Sequence, residues 1–223
     1  MTGVFVATPM MREPSGNPRL FGNALKSIFS LEWSGQIAHF ISNGGDDYRH
    51  GNETVTRKYQ LAREVFLAGK WDYFLSVEYD MIVPPDGLKR LAALDVDIAY
   101  GLYCLRHGGK RDWSAFTHLD VTRGESLSKQ PELARKLWGS VAEVEGIGQG
   151  FTLIKREIIE AIPFRNWLGV CSDWALAVDA KRAGIQQVCD LGVVCGHATL
   201  TPSPQILWPD PNAEKLCRVE FVG

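Results

Sequence analysis

The sequence predicts an α/β fold in a single domain: a mostly parallel central sheet flanked by helices, with a small antiparallel addition. Three observations carry that expectation. The first hundred residues alternate β-α-β-α-β-α-β at short spacing, the pattern of a doubly wound sheet. The first strand is apolar from Val4 to Ala7, as a strand covered on both faces must be. A chain of 223 residues with 45% apolar and 22% charged side chains is long enough to bury one substantial core without disulfide or metal staples.

Val4–Thr8 is the first strand and stops at Pro9. A polar loop containing proline and glycine runs to about Pro18. From Leu20 to Leu31, the residues Leu20, Ala24, Leu25, Ile28 and Phe29 fall on one side of a helix. Ile37–Ser42 reads as a second strand, ended by the turn Asn43-Gly44-Gly45-Asp46-Asp47. Thr54–Ala68 is a second amphipathic helix stopped by Gly69. Tyr73–Val77 is a third strand. Pro84 and Pro85 then precede a helix that has Asp86 at its N-cap. Val96–Leu102 is a fourth strand.

Residues 106–140 are polar, with Trp113, Phe116 and Trp138 scattered among them, and no periodicity defines an element there. Order resumes at Val141–Glu145, followed by the glycine turn at 146–150 and a strand over Phe151–Ile154. A short helix over Arg156–Ile162 is closed by Pro163. A longer one over Ser172–Ala183 is capped by Gly184, and a strand-like stretch leads from Ile185 to His197. The tail from Ala198 is rich in proline.

The charge balance narrows the function classes. A net charge of −2 supplies no global basic field, which argues against nucleic acid or an anionic membrane as partner. No apolar run approaches the roughly 18 residues of a transmembrane helix. The N-terminus lacks the basic segment and long apolar run of a secretory signal. These features predict a soluble, cytoplasmic protein. The five cysteines form no CxxC pair and are odd in number, so they are expected as reduced, mostly buried thiols.

The strongest chemical signal is the run Phe74–Pro85. On an extended chain Glu78 and Asp80 project to the same face and Tyr79 to the other. Two carboxylates thus emerge together at the carboxyl end of a buried strand, where open α/β sheets bind ligands. Oxygen donors of this kind suit Mg²⁺ or Mn²⁺, which in turn hold a diphosphate. The alternative is an acidic surface turn.

The order strand, NGGDD, helix, strand, ExD, PP, helix, strand resembles glycosyltransferases of the GT-A fold (Rossmann-like), especially the family-2-like group. In them a DxD-type motif closes the strand before a proline-rich turn. Downstream, GIGQGFTLIKREIIEAI resembles their glycine turn, strand and helix. The segment from Cys171 to His197 resembles their acidic helix start, strand and terminal histidine. The resemblance covers residues 4–103 and 141–197. It implies a nucleotide-sugar-binding half (1–103), an irregular insert (104–140), an acceptor and catalytic half (141–197) and a tail (198–223), with the insert or tail as candidate lids.

Carried over by position, the resemblance implies that Asp80 and His197 bind the metal, with Glu78 at the motif's first position. Glu stands there in place of the commoner Asp, and its longer arm reaches ribose or metal-bound water as readily as the ion. Gly196 is expected to let the backbone approach the ligand; a hydrogen-bonded histidine at the sheet edge is the alternative for His197. Asp173 matches the general base of inverting members, although the family often has two acids there and this chain has Ser172-Asp173. A helix cap is the competing reading. Thr8, Pro9, Asn43, Asp46 and Asp47 match the base- and ribose-binding loops, a tight glycine turn being the alternative for NGGDD; Arg57 stands where it could neutralise phosphate, with a solvated helix charge as its commoner role. Trp113 and Trp174 are candidate sugar platforms, with core packing the commoner role for the seven tryptophans.

The implied activity is transfer of a sugar from a UDP- or GDP-sugar donor to an acceptor hydroxyl, with Mn²⁺ or Mg²⁺ as cofactor. The alternatives are a nucleotidyltransferase of similar fold and a nucleotide-sugar-binding module without turnover.

Overall fold

A computed structural model of the chain describes residues 2–10, 18–42, 51–106, 111–166, 171–199 and 204–222. Asn43, Asp46 and Asp47 lie outside the described residues. The first strand, β1 (Gly3–Pro9), is buried at every position, as its apolar run requires. It is followed by α1 (Pro18–Phe29), β2 (Gln36–Ser42), α2 (Gly51–Ala68) and β3 (Tyr73–Val77). A two-residue strand β4 (Met81–Ile82), the helix α3 (Gly87–Ala93) and β5 (Ile98–Leu102) come next.

The stretch 106–140, which shows no periodicity, contains a hairpin of β6 (Phe116–Leu119) and β7 (Gly124–Ser126), a 3-10 turn, and the helix α4 (Pro131–Leu137). Each is too short to show a repeat. The rest comprises β8 (Val141–Glu143), β9 (Phe151–Lys155), α5 (Arg156–Ala161), α6 (Ser172–Arg182), β10 (Gln187–Val194), β11 (Gly196–Thr199), β12 (Gln205–Pro209) and β13 (Cys217–Phe221). Gly184 follows α6 with φ of 70°, the left-handed conformation that ends a helix. Asp86 holds the N-cap position of α3 but makes no side-chain cap bond.

Among the described residues, a seven-stranded sheet runs in the order β2-β1-β3-β9-β5-β10-β8. Its pairs β1–β2, β1–β3 and β5–β10 are parallel, whereas β9 and β8 run against their neighbours. Five strands therefore share one direction, and this is the mostly parallel α/β sheet expected from the sequence. Side-chain alternation assigns the layers. Ser76, opposite Thr152 in the ladder, bonds Tyr59 of α2 at 2.7 Å, while Phe151 on the other face meets Gly87 of α3. The same face as Ser76 carries Tyr100 and Gln187, and Gln187 Nε2 donates to Ala177 O of α6 at 3.1 Å. Helices α2 and α6 thus cover one face and α3 the other.

The antiparallel addition is a second sheet in the order β13-β12-β11-β4. The chain leaves β10 through a register shift near Asp190–Val194 and enters β11 at Gly196. A Cβ on Gly196 would stand 2.7 Å from both Ile206 Cγ2 and Trp208. The missing side chain therefore makes room for β12, which corrects the expectation that it makes room for a ligand. Trp113 is also corrected: it is fully buried, packs on Trp138 at 5.5 Å between ring centroids, and donates its indole N–H to Leu216 O. It is core, not a sugar platform.

Candidate metal centre

Asp80 and His197 are remote in sequence and are joined by the second sheet. Met81 of β4 pairs with His197 of β11, Ile82 pairs with Gly196, and Ala198 N donates to Asp80 O at 2.8 Å. A turn from β3 to β4, closed by Met81 N to Glu78 O at 3.1 Å, then places Glu78 and Asp80 at the carboxyl end of the sheet. One ligand atom from each of Glu78, Asp80 and His197 lies within 4.8 Å of the others. Ligand atoms around one six-coordinate ion stand roughly 3–4 Å apart at metal–oxygen distances of about 2.1 Å. Only small side-chain adjustments separate the two arrangements.

The donor set fits a hard divalent cation. Asp80 is 1% exposed, and its Oδ1 has no hydrogen-bond partner among the described residues. A buried carboxylate oxygen in that condition is costly without a cation. Arg106 Nη1 lies 2.6 Å from the other oxygen, Oδ2. The same nitrogen, which carries two protons, donates to Ala198 O at 2.7 Å. His197 Nδ1 is 2.7 Å from Cys104 O, and a carbonyl only accepts, so Nδ1 carries a proton and the ring's other nitrogen is turned towards the carboxylates. Nε2 is 3.9 Å from Asp80 Oδ2. Tyr103 packs edge-on against the imidazole, with centroids 5.4 Å apart.

Burial raises the Glu78 carboxyl to about 8, with the Asp80 and Asp173 charges adding to the shift and Arg106 opposing it. A cation at this position would reverse that preference.

Two cavities meet at Glu78. One, of about 240 Å³, is bounded by Pro9 at the end of β1, Met10, Lys58 of α2, Glu78, Asp80 and Arg106. Lys58 is buried, and its Nζ donates to Met10 O. Arg57, the neighbouring helix position, is exposed and outside this lining. Thr8 is buried at the end of β1, paired with Ile41, and is also outside the lining. Lys58 and Arg106 are the cations that sequence reasoning missed.

The second cavity, of about 140 Å³, has Glu78, His197, Tyr103, Asp173 and Trp174 in its walls. Asp173 lies in the first turn of α6, whose N-cap is Cys171, and Asp173 Oδ1 accepts from Trp174 N at 2.7 Å. The other oxygen, Oδ2, would lie 3.0 Å from a Cβ on Gly148, and Tyr103 Oη only 2.2 Å from it. Gly148 is therefore what allows Tyr103 and Asp173 to close over the glycine turn. Trp174 is held by Phe116, edge-on at 5.6 Å, and by its indole bond to Asp120 O at 2.7 Å.

Comparison with known proteins bears on the fold. No protein-family model matches the chain, and no curated protein matches it in sequence. Among solved structures it resembles A197 from STIV at a TM-score of 0.63 and 18% identity, covering 100% of this chain and 95% of that one. It resembles GalNAc-T7, solved with UDP, GalNAc and Mn²⁺, at a TM-score of 0.51 and 13% identity, covering 88% of this chain and 43% of that one. It also resembles the mannosyltransferase PcManGT of Pyrobaculum calidifontis, solved with GDP-Man and Mn²⁺, at a TM-score of 0.50 and 15% identity, covering 86% and 55%. The chain thus spans about half the length of the two sugar transferases and shares their GT-A fold. No described helix is long and apolar enough to cross a membrane.

Proposed function

We propose that the chain is a metal-dependent glycosyltransferase acting on a UDP- or GDP-sugar donor and an acceptor hydroxyl. The observation that carries this reading is the convergence of Glu78, Asp80 and His197 between two cavities at the carboxyl end of the sheet. Asp80 and His197 Nε2 are the residues that would hold Mn²⁺ or Mg²⁺. When bound, such an ion supplies Lewis-acid stabilisation of the charge on a leaving diphosphate. Lys58 and Arg106 face the same cavity and add positive charge for the donor phosphates.

Pro9 lines the donor side. Asn43, Asp46 and Asp47 are the base and ribose contacts implied by the resemblance, and Lys58 takes the phosphate role expected of Arg57. Asp173 takes the acceptor proton from the opposite cavity, with Glu78 as the shared wall. The reading extends to an ExD variant of the DxD motif in a family-2-like enzyme.

Incubation with a panel of nucleotide sugars and Mn²⁺ tests it. Release of nucleoside diphosphate, reduced about 100-fold or more by Asp173→Asn, is the expected result. Pyrophosphate formed from a nucleoside triphosphate would identify a nucleotidyltransferase instead. No turnover with any donor would leave a binding module.

A further inference from the structure

Away from the metal centre, β13 is the outer strand of the second sheet, and among the described residues β12 is its only ladder partner. The bonds that frame this ladder fix which way its backbone turns. Val222 N donates to Pro204 O at 3.1 Å, and Asp210 N donates to Leu216 O at 3.0 Å. Bonded positions alternate in an antiparallel pair. Leu216, Arg218, Glu220 and Val222 therefore bond to β12, whereas Val219 and Phe221 turn their N–H and C=O groups outwards. Side chains alternate too, so the edge carries Arg218 and Glu220 on one face and Val219 and Phe221 on the other. Phe221 is 75% exposed, a large apolar side chain left uncovered at the rim. Trp208 of β12 holds both charges in place. The Arg218 guanidinium lies over its ring at 5.7 Å, and Glu220 Oε2 accepts its indole N–H at 2.9 Å.

We propose that β13 pairs with the β13 of a second copy of this chain, antiparallel about a two-fold axis at Val219, so that the two four-stranded sheets become one continuous sheet. Charge selects this register. With Val219 opposite Val219 of the partner subunit, Arg218 faces Glu220 of the partner subunit, and Glu220 faces Arg218 of the partner subunit. These are non-hydrogen-bonded positions, where opposing side chains stand closest. An axis at Arg218 or at Glu220 opposes like charges, and so does parallel pairing in register. Within one chain Arg218 and Glu220 are 3.5 Å apart and about half exposed. A guanidinium and a carboxylate so placed each keep hydrogen-bonding capacity for a partner. On the other face the two Val219 side chains meet, and Phe221 comes to lie beside the start of the second β13. The same patch serves both copies, as in a closed two-fold interface, and the pairing consumes the exposed edge of each. A five-residue ladder is small beside a permanent interface, so the dimer is reversible and concentration-dependent. The inference stands apart from the transferase reading.

The test is sedimentation of the full chain at low ionic strength over concentrations of about 1–500 μM. The expected result is a monomer–dimer equilibrium. Glu220→Arg and Arg218→Glu should each weaken the dimer about tenfold, because each opposes like charges at both contacts of the pair. An equimolar mixture of the two variants should regain the parent's dimer affinity, since one chain then presents two arginines to the other's two glutamates. Val219→Pro removes an N–H that β12 does not use, so it should abolish the dimer while circular dichroism still reports a folded chain. A monomer at every concentration would overturn the proposal. So would a dimer indifferent to both charge reversals, a mixture no tighter than either variant alone, or parent-like dimerisation of folded Val219→Pro.

Discussion

Gly148→Ala strikes Tyr103 and Asp173 together. The added methyl would sit 2.2 Å from Tyr103 Oη, 3.0 Å from Asp173 Oδ2 and 3.5 Å from Tyr103 Cζ. To reach ordinary contact the phenol must retreat by roughly 1 Å, but its ring is 3% exposed and abuts His197. It would also give up the N–H of Gly150, which it accepts at 3.4 Å. Overpacking of this kind costs about 1–3 kcal/mol, or a Tm lower by about 3–10 °C. If the chain is the proposed transferase, a displacement near 1 Å at Asp173 or His197 should lower transfer about 100-fold. Thermal melts and nucleoside-diphosphate release read the two effects separately. In a Tyr103→Phe background Oη is gone and the remaining ring contact at 3.5 Å is ordinary, so most of the stability loss should vanish. Turnover should recover only in part, because the Asp173 contact persists. A Gly148→Ala penalty equal in both backgrounds, within about 0.5 kcal/mol, would refute the reasoning.

Four further outcomes follow from the structure. Because burial lifts Glu78 to about 8, cation binding at lower pH must expel its proton. Mn²⁺ affinity measured by titration calorimetry should therefore rise by up to about tenfold per pH unit, levelling near pH 8, and Glu78→Gln should remove one proton from that slope. A carboxyl pKa raised on folding favours the folded state at low pH and withdraws that support as pH climbs towards 8, so the metal-free melting temperature should fall over this range and Glu78→Gln should flatten the fall. Lys58→Met should weaken nucleoside-diphosphate binding about tenfold or more in a fluorescence titration, whereas exposed Arg57→Ala changes it less than about twofold; the reverse ranking would return the phosphate role to Arg57. Gly22→Ala in α1, where nothing lies within 4 Å of the new methyl, should raise stability by about 0.5–1 kcal/mol in chemical denaturation.

The sheet was legible wherever apolar runs were continuous. The strand over Tyr73–Val77 has those bounds in the structure, and β1 differs from its expected range by one residue at each end. The second sheet was not legible, because β4 is two residues long and shows no periodicity. Yet β4 is the element that docks Asp80 against His197, so the centre rested on the family resemblance rather than on spacing.

Arg57 and Lys58 show a second limit. Neighbouring helix positions point about 100° apart, so choosing between them requires the buried face. Lys58 lies on the stripe with Ala62 and Phe66, which are buried, but Leu61 and Val65 form a rival apolar stripe that is exposed. Composition alone offers no choice between the two. Trp113 was open for a related reason: a tryptophan in a polar stretch reads as core or as a surface aromatic until its partners, Trp138 and Leu216, are known.

The central claim is that Asp80 and His197 grip one divalent ion. Mn²⁺ binding, followed by electron paramagnetic resonance on the parent chain and on Asp80→Asn and His197→Ala, tests it most directly. One ion per chain, with affinity reduced about 100-fold or more in each variant, is the predicted result. Parent-like affinity in either folded variant would contradict the account.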